Sequence, residues 1–152
     1  MSGPWIGHSV LLWSHIAAGV AALAVGPLAV LGERRGWSTR LGVAYQVSVA
    51  ALAVTALGLV ALAPARLWWL IPIAVATVAA AAGGAWLRRR DAGGWTPWQV
   101  RLLGGSYVSL VTALFVVQWG TAVAWLGPGL TGFVVVETAA HLVDRRTGPP
   151  RT

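Results

Sequence analysis

The sequence predicts an all-α fold: a polytopic transmembrane helix bundle of about five spans, with its N-terminus outside and its C-terminus in the cytoplasm. Three observations carry that prediction. Of 152 residues, 57% are hydrophobic and only 10% are charged, against roughly 25% charged in soluble domains. The charges are gathered into short clusters between long apolar runs. The ten tryptophans stand mostly at the ends of those runs, where an indole finds apolar surroundings and a partner for its N–H. A chain this short makes one domain, residues 1–146, and a soluble core of that size cannot hide so much apolar surface. Lipid removes the conflict.

The first run, residues 6–31, is uncharged, and residues 1–8 lack the basic start of a secretory signal, so the run reads as a retained span. The second, 41–65, begins just after Ser38 and Thr39, either of which can cap a helix. The third covers 67–87. Gly93-Gly94-Trp95 reads as an interfacial turn, and Thr96-Pro97 as a helix start with proline in the first turn. After Arg101 an uncharged stretch continues to Val136, too long for one span of about 20 residues. Gly127-Pro128-Gly129 divides it into 102–126 and a shorter piece, 130–143. The expectation is therefore four long spans and a short fifth. Residues 147–152, with Gly-Pro-Pro, read as a disordered cytoplasmic tail. Pro27 and Pro72 are expected inside helices, each removing a backbone hydrogen bond.

All 11 basic residues are arginine. With five spans and the N-terminus outside, every arginine except Arg66 faces the cytoplasm; with four, the C-terminal arginines fall on the wrong side. The positive-inside rule thus favours five spans in a multi-pass protein of the cell membrane. The net charge of +7 raises the question of nucleic acid, but clustered loop arginines without a Gly-rich phosphate loop or a basic–aromatic strand pattern argue for no nucleic-acid partner. Cysteine is absent, which excludes disulfides, thiolate metal sites and cysteine nucleophiles.

Helical periodicity places His8, His15, Gly19, Ala22 and Gly26 on one stripe of the first helix. It places Tyr45, Ser48, Leu52 and Thr55 on one face of the second, and Gly105, Ser109 and Thr112 on one face of the fourth. Such small and hydroxyl-bearing faces let helices approach closely in lipid. Trp13 lies deeper than the other tryptophans and reads as a packing residue.

Glu137 is the sharpest chemical signal. It follows Phe133-Val134-Val135-Val136 inside an apolar segment, where a carboxyl group must be protonated, paired or facing water. His141, one turn on, shares its face, so the two can exchange a proton as an acid/base couple. Counting from the outer boundary, His15 lies ~13 Å deep, Glu137 ~18 Å and His141 ~24 Å. His15 and Glu137 can therefore pair across the bundle, with Tyr45 and Gln118 completing a small polar ligand-binding pocket. No metal site is predicted. Haem b between His15 and His141 is the cofactor alternative, opposed by the ~10 Å difference in depth; His8 and His15 share a helix and cannot sandwich an iron.

Two stretches are similar to a known family. One is His15-Ile16-Ala17-Ala18-Gly19 leading to Gly26-Pro27, followed by Arg40-Leu41-Gly42-Val43-Ala44-Tyr45. The other is Gly105-Ser106-Tyr107-Val108-Ser109-Leu110-Val111-Thr112-Ala113-Leu114. Together they resemble a bacterial family of small multi-pass predicted membrane proteins, a domain of unknown function, over residues 14–146. The resemblance implies the bundle architecture and leaves His15 and Tyr45 as matching polar positions. It supplies no activity. Family members often carry further histidines before the second and fourth helices, where this chain has Ser38-Thr39 and Trp95-Thr96-Pro97.

The function expected from these residues is binding of a hydrophobic small molecule (a lipid, isoprenoid or quinone), or proton relay, at an intramembrane polar pocket. The alternatives are a membrane-embedded acid/base enzyme using Glu137 with a histidine, and a structural subunit that packs on a membrane-protein partner or on copies of itself.

Overall fold

A computed structural model describes residues 4–31, 38–90, 95–119 and 121–147. The side chains of Trp5, Ser38, Thr39, Arg66, Gln118 and Arg146 lie outside the described set. So do Arg34, Arg35, Trp37, Gly93-Gly94 and the tail 148–152, and with them the expected cap of the second helix and the expected disordered tail. The described residues form six helices: α1 (Pro4–Leu31), α2 (Ser38–Leu62), α3 (Pro64–Leu67), α4 (Leu70–Arg90), α5 (Pro97–Trp119) and α6 (Ala122–Thr147). All but the one-turn α3 are long and apolar enough to cross a membrane, giving five candidate spans.

The fifth span is not short. The chain breaks at Thr121, and α6 runs straight through Gly127-Pro128-Gly129 for 26 residues. Thr121 explains the start: its Oγ1 accepts the Ala124 N–H at 3.3 Å, as an N-cap does. Pro128 sits inside the helix, where it forgoes one backbone bond, a loss that helices in lipid tolerate. Pro72 also departs from expectation. It is the third residue of α4, in the first turn, where no intrahelical acceptor exists for an N–H. Pro27 does lie inside α1. Upstream, Pro64 opens α3 and holds Ala63 off the helical region at φ −144, ψ 62, which ends α2.

α5 starts where Thr96-Pro97 predicts, with a reciprocal cap: Gln99 N–H donates to Thr96 Oγ1 at 3.3 Å, and Thr96 N–H donates to Gln99 Oε1 at 3.1 Å. This start moves Arg101 from a loop into the helix.

The chain forms two compact units, Met1–Val78 and Ala79–Thr152. In the first, α1 packs on α2. Gly19 lies against Leu52, Gly58 against Leu11, and Ala22, Tyr45 and Val49 are buried. The predicted faces of α1 and α2 are the ones in contact, except that His8 is exposed. In the second unit, α5 packs on α6 and meets the end of α4. A Cβ on Gly104 would stand 2.6 Å from Val136 Cγ2, and one on Gly132 would stand 2.6 Å from Val108 Cγ1. Each helix thus offers a glycine to a valine of the other. The predicted face of α5 holds in part: Thr112 Oγ1 is buried, but Gly105 has open space around it, while its neighbours Gly104 and Ser106 lie inside. Spacing alone selects a face only to within one residue, and the valines of α6 select Gly104.

Large apolar residues such as Val54, Val75, Val123 and Phe133 stand exposed on the outer faces. Trp13, expected to pack inside, is 70% exposed. Within each unit, small residues stand at the helix contacts and large apolar side chains stand exposed, an arrangement that suits lipid rather than water.

Candidate functional site

Glu137 finds its partner on the neighbouring helix. Arg101 Nε donates to Glu137 Oε1 at 3.0 Å and to Oε2 at 3.2 Å, and Nη2 donates to Oε2 at 3.0 Å. The geometry is a two-pronged guanidinium–carboxylate fork, the strongest form of such a contact. The α5–α6 hairpin sets it up: Arg101 lies as far before Trp119 as Glu137 lies after it, so antiparallel helices bring both to one level. The Gly104–Val136 and Val108–Gly132 contacts follow the same register. The two side chains remain 32% and 29% exposed. A guanidinium has five N–H donors, and those of Nη1 have no partner among the described residues. Trp98, one turn away, flanks the pair, with the Arg101 guanidinium 5.4 Å from its ring centre.

His15 is satisfied differently. Its Nδ1 lies 3.1 Å from Thr55 Oγ1. Thr55 has a single hydroxyl proton, which it directs to the carbonyls of Ala51 at 2.8 Å and Leu52 at 3.0 Å. With the Thr55 proton on one of those carbonyls, the imidazole donates from Nδ1 and the lone pair of the neutral ring lies on Nε2. This tautomer follows from the hydrogen-bond network rather than from an observed proton.

The other expected site residues divide. Tyr45 is buried on the α1–α2 face. His141 is exposed and makes no hydrogen bond to Glu137. Gln118 belongs to the last turn of α5, but its side chain lies outside the described residues. His15 and Glu137 each take a partner within their own unit, Thr55 and Arg101. Among the described residues no three histidine, aspartate or glutamate side chains gather as a metal-ligand group.

Sequence reasoning missed Arg101, Gln99 and Ser106. The last two are fully buried. Ser106 returns its hydroxyl proton to the Leu103 carbonyl at 2.8 Å, but Gln99 Nε2 has no partner among the described residues. The signal for Arg101 was present: Thr96-Pro97 places it in the second turn of α5, and a hairpin closed near residue 120 places it opposite Glu137.

The five long apolar helices are compatible with a multi-pass membrane protein, and the Arg101–Glu137 pair joins two of them. No protein-family model, curated protein or solved structure matches the chain.

Proposed function

We propose that this is a multi-pass protein of the cell membrane, oriented N-out and C-in, that binds an amphiphilic small molecule at the Arg101–Glu137 pair. The observation that supports this reading is the half-open guanidinium. One edge of Arg101 grips Glu137, while Nη1 has no partner among the described residues, near the start of a helix long and apolar enough to cross a membrane. Open N–H donors in such a place call for an acceptor. A molecule with an acceptor headgroup and an apolar tail, such as a lipid or a quinone, meets that need and lies against the exposed apolar faces of the same helices. The site is thus a refined form of the pocket expected around Glu137, with Arg101 as its donor.

The pairing weakens the acid/base alternative. A carboxylate whose two oxygens are both engaged by a guanidinium is poorly placed to reach and protonate a substrate. The family resemblance is compatible with a binding role and adds no activity to it.

The test is native mass spectrometry of the protein purified in mild detergent, with an absorption spectrum of the same sample. The expected result is a retained mass of a few hundred daltons. It should be lost in the Arg101→Gln/Glu137→Gln double variant, which keeps a neutral hydrogen-bonding pair and a helical circular dichroism spectrum. A retained mass unchanged in that variant, or an empty wild-type protein, removes this reading in favour of a structural subunit. A Soret band turns attention to haem and to His15 Nε2.

A further inference from the structure

A threonine inside a helix commonly returns its hydroxyl proton to a carbonyl one turn back. Thr77 and Thr138 do so, each at 2.7 Å. Thr112, in the middle of α5, does not: its Oγ1 is buried and has no partner among the described residues. A buried hydroxyl left unbonded is costly, so what stands opposite Thr112 matters.

The register of the α5–α6 hairpin answers that. Gly104 lies against Val136, and Val108, one turn on along α5, lies against Gly132, one turn back along α6. The next level in this register pairs Thr112 with Pro128, and the one after pairs Val116 with Ala124, both buried. Pro128 has no N–H, so the carbonyl of Ala124, one turn before it in α6, loses its helical donor. Helix carbonyls point toward the C-terminus, which puts this oxygen near the level of Pro128 and therefore of Thr112. A spare donor on α5 and a spare acceptor on α6 thus stand at one level, and in the described conformation Thr112 leaves them unjoined. Hydroxyls of neighbouring helices are among the groups that satisfy carbonyls freed by proline in lipid.

The surrounding contacts decide which part can move. The two glycine–valine contacts and the Arg101–Glu137 fork all involve α6 residues after Pro128. Before it stands only the short segment 122–127. Gly127 and Gly129 flank the proline, and a Cβ on either would meet nothing within 4 Å, so the backbone bends there without collision. We propose that Pro128 is a hinge in α6 and that the Thr112 hydroxyl is its latch. Segment 122–127 tilts on α5 until the Ala124 carbonyl accepts the Thr112 proton, and swings free when that bond opens. The Arg101–Glu137 pair lies beyond the hinge and stays closed in both states. The device does not depend on the binding reading above.

The experiment places pairs of spin labels in the full chain in nanodiscs and reads their separation by pulsed electron paramagnetic resonance. Leu114, Val123 and Val135 are all well exposed and suit labelling. Leu114→Cys/Val123→Cys reports on the hinged segment, and Leu114→Cys/Val135→Cys reports on the fixed part. The first pair is expected to show two distances about 4 Å apart, the shift that a bend of about 30° produces five residues from the joint. The second pair is expected to show one. Thr112→Val should move the two populations roughly fivefold toward the open form, the worth of one ordinary hydrogen bond, and Thr112→Ser should keep the wild-type ratio. Pro128→Ala, which gives the Ala124 carbonyl its N–H back, should leave a single distance. A single distance for the first pair in otherwise unchanged protein overturns the hinge. Two distances in the second pair put the motion elsewhere and overturn it as well. A ratio that Thr112→Val leaves unchanged overturns the latch.

Discussion

Polar side chains inside the spans are satisfied in three recurring ways, and the way decides their availability, while the buried Gln99 Nε2 and Thr112 Oγ1 have no partner among the described residues. Some hydroxyls return to their own helix: Thr77 donates to Ile73 O at 2.7 Å and Thr138 to Val134 O at 2.7 Å. Such groups need no neighbour and carry no chemistry. His15 uses another helix, and with the Thr55 proton placed on its own backbone the ring is assigned the Nδ1–H form by a residue forty positions away. A prediction follows at this scale. In the ¹⁵N spectrum of labelled protein, His15 should show the Nδ1–H form. Thr55→Val should mix the two tautomers and cost about 1–3 kcal/mol for the stranded donor. A dominant Nε2–H form in the wild-type protein contradicts the assignment. Arg101 is the third kind, paired on one edge and open on the other, which is why the proposed site is built on it. Glu137 was legible in the sequence because a carboxylate inside a valine run is conspicuous. Its partner was not, because an arginine next to a loop is indistinguishable from a boundary charge until the helix start is placed upstream of it.

Helix boundaries and helix faces were legible to different degrees. Thr96-Pro97 announced α5 because a hydroxyl cap and a proline at the first position have local causes. The break between α5 and α6 was misplaced because Gly127-Pro128-Gly129 is the stronger turn signal in water. In lipid the stronger demand is that every backbone group be bonded, and α6 continues through it. The contacts between helices then separate glycines that matter from those that do not. Gly132→Ala drives a methyl into both γ-carbons of Val108, with Val108 Cβ at 3.1 Å. It should destabilise the protein by about 1–3 kcal/mol, as overpacking does. Gly105→Ala meets nothing within 4 Å and should leave the melting temperature in detergent unchanged or slightly raised. Equal melting of the two variants would show that the α5–α6 contact is not the one described.

For the molecule as a whole, composition alone was enough to identify the solvent, because five runs of this length and apolarity leave lipid as the medium. Orientation comes from a separate property, the distribution of arginines, and invites a direct test. The chain has no cysteine, so a single introduced thiol reports its own location without background. Ser2→Cys should react with a membrane-impermeant maleimide in intact cells, and Thr152→Cys should react only after lysis. The reverse pattern would invert the proposed topology and place the Arg88, Arg89 and Arg90 triplet on the outer side. The charge pair adds a consequence for biogenesis. An arginine and a glutamate that meet across one helical hairpin neutralise each other only when both helices are present. In the proposed orientation Arg101 stays near the cytoplasmic end of α5, so the carboxylate of Glu137 is the group that gains its counter-charge only when α6 folds back along α5, and closing the hairpin lowers the cost of placing that carboxylate in the span.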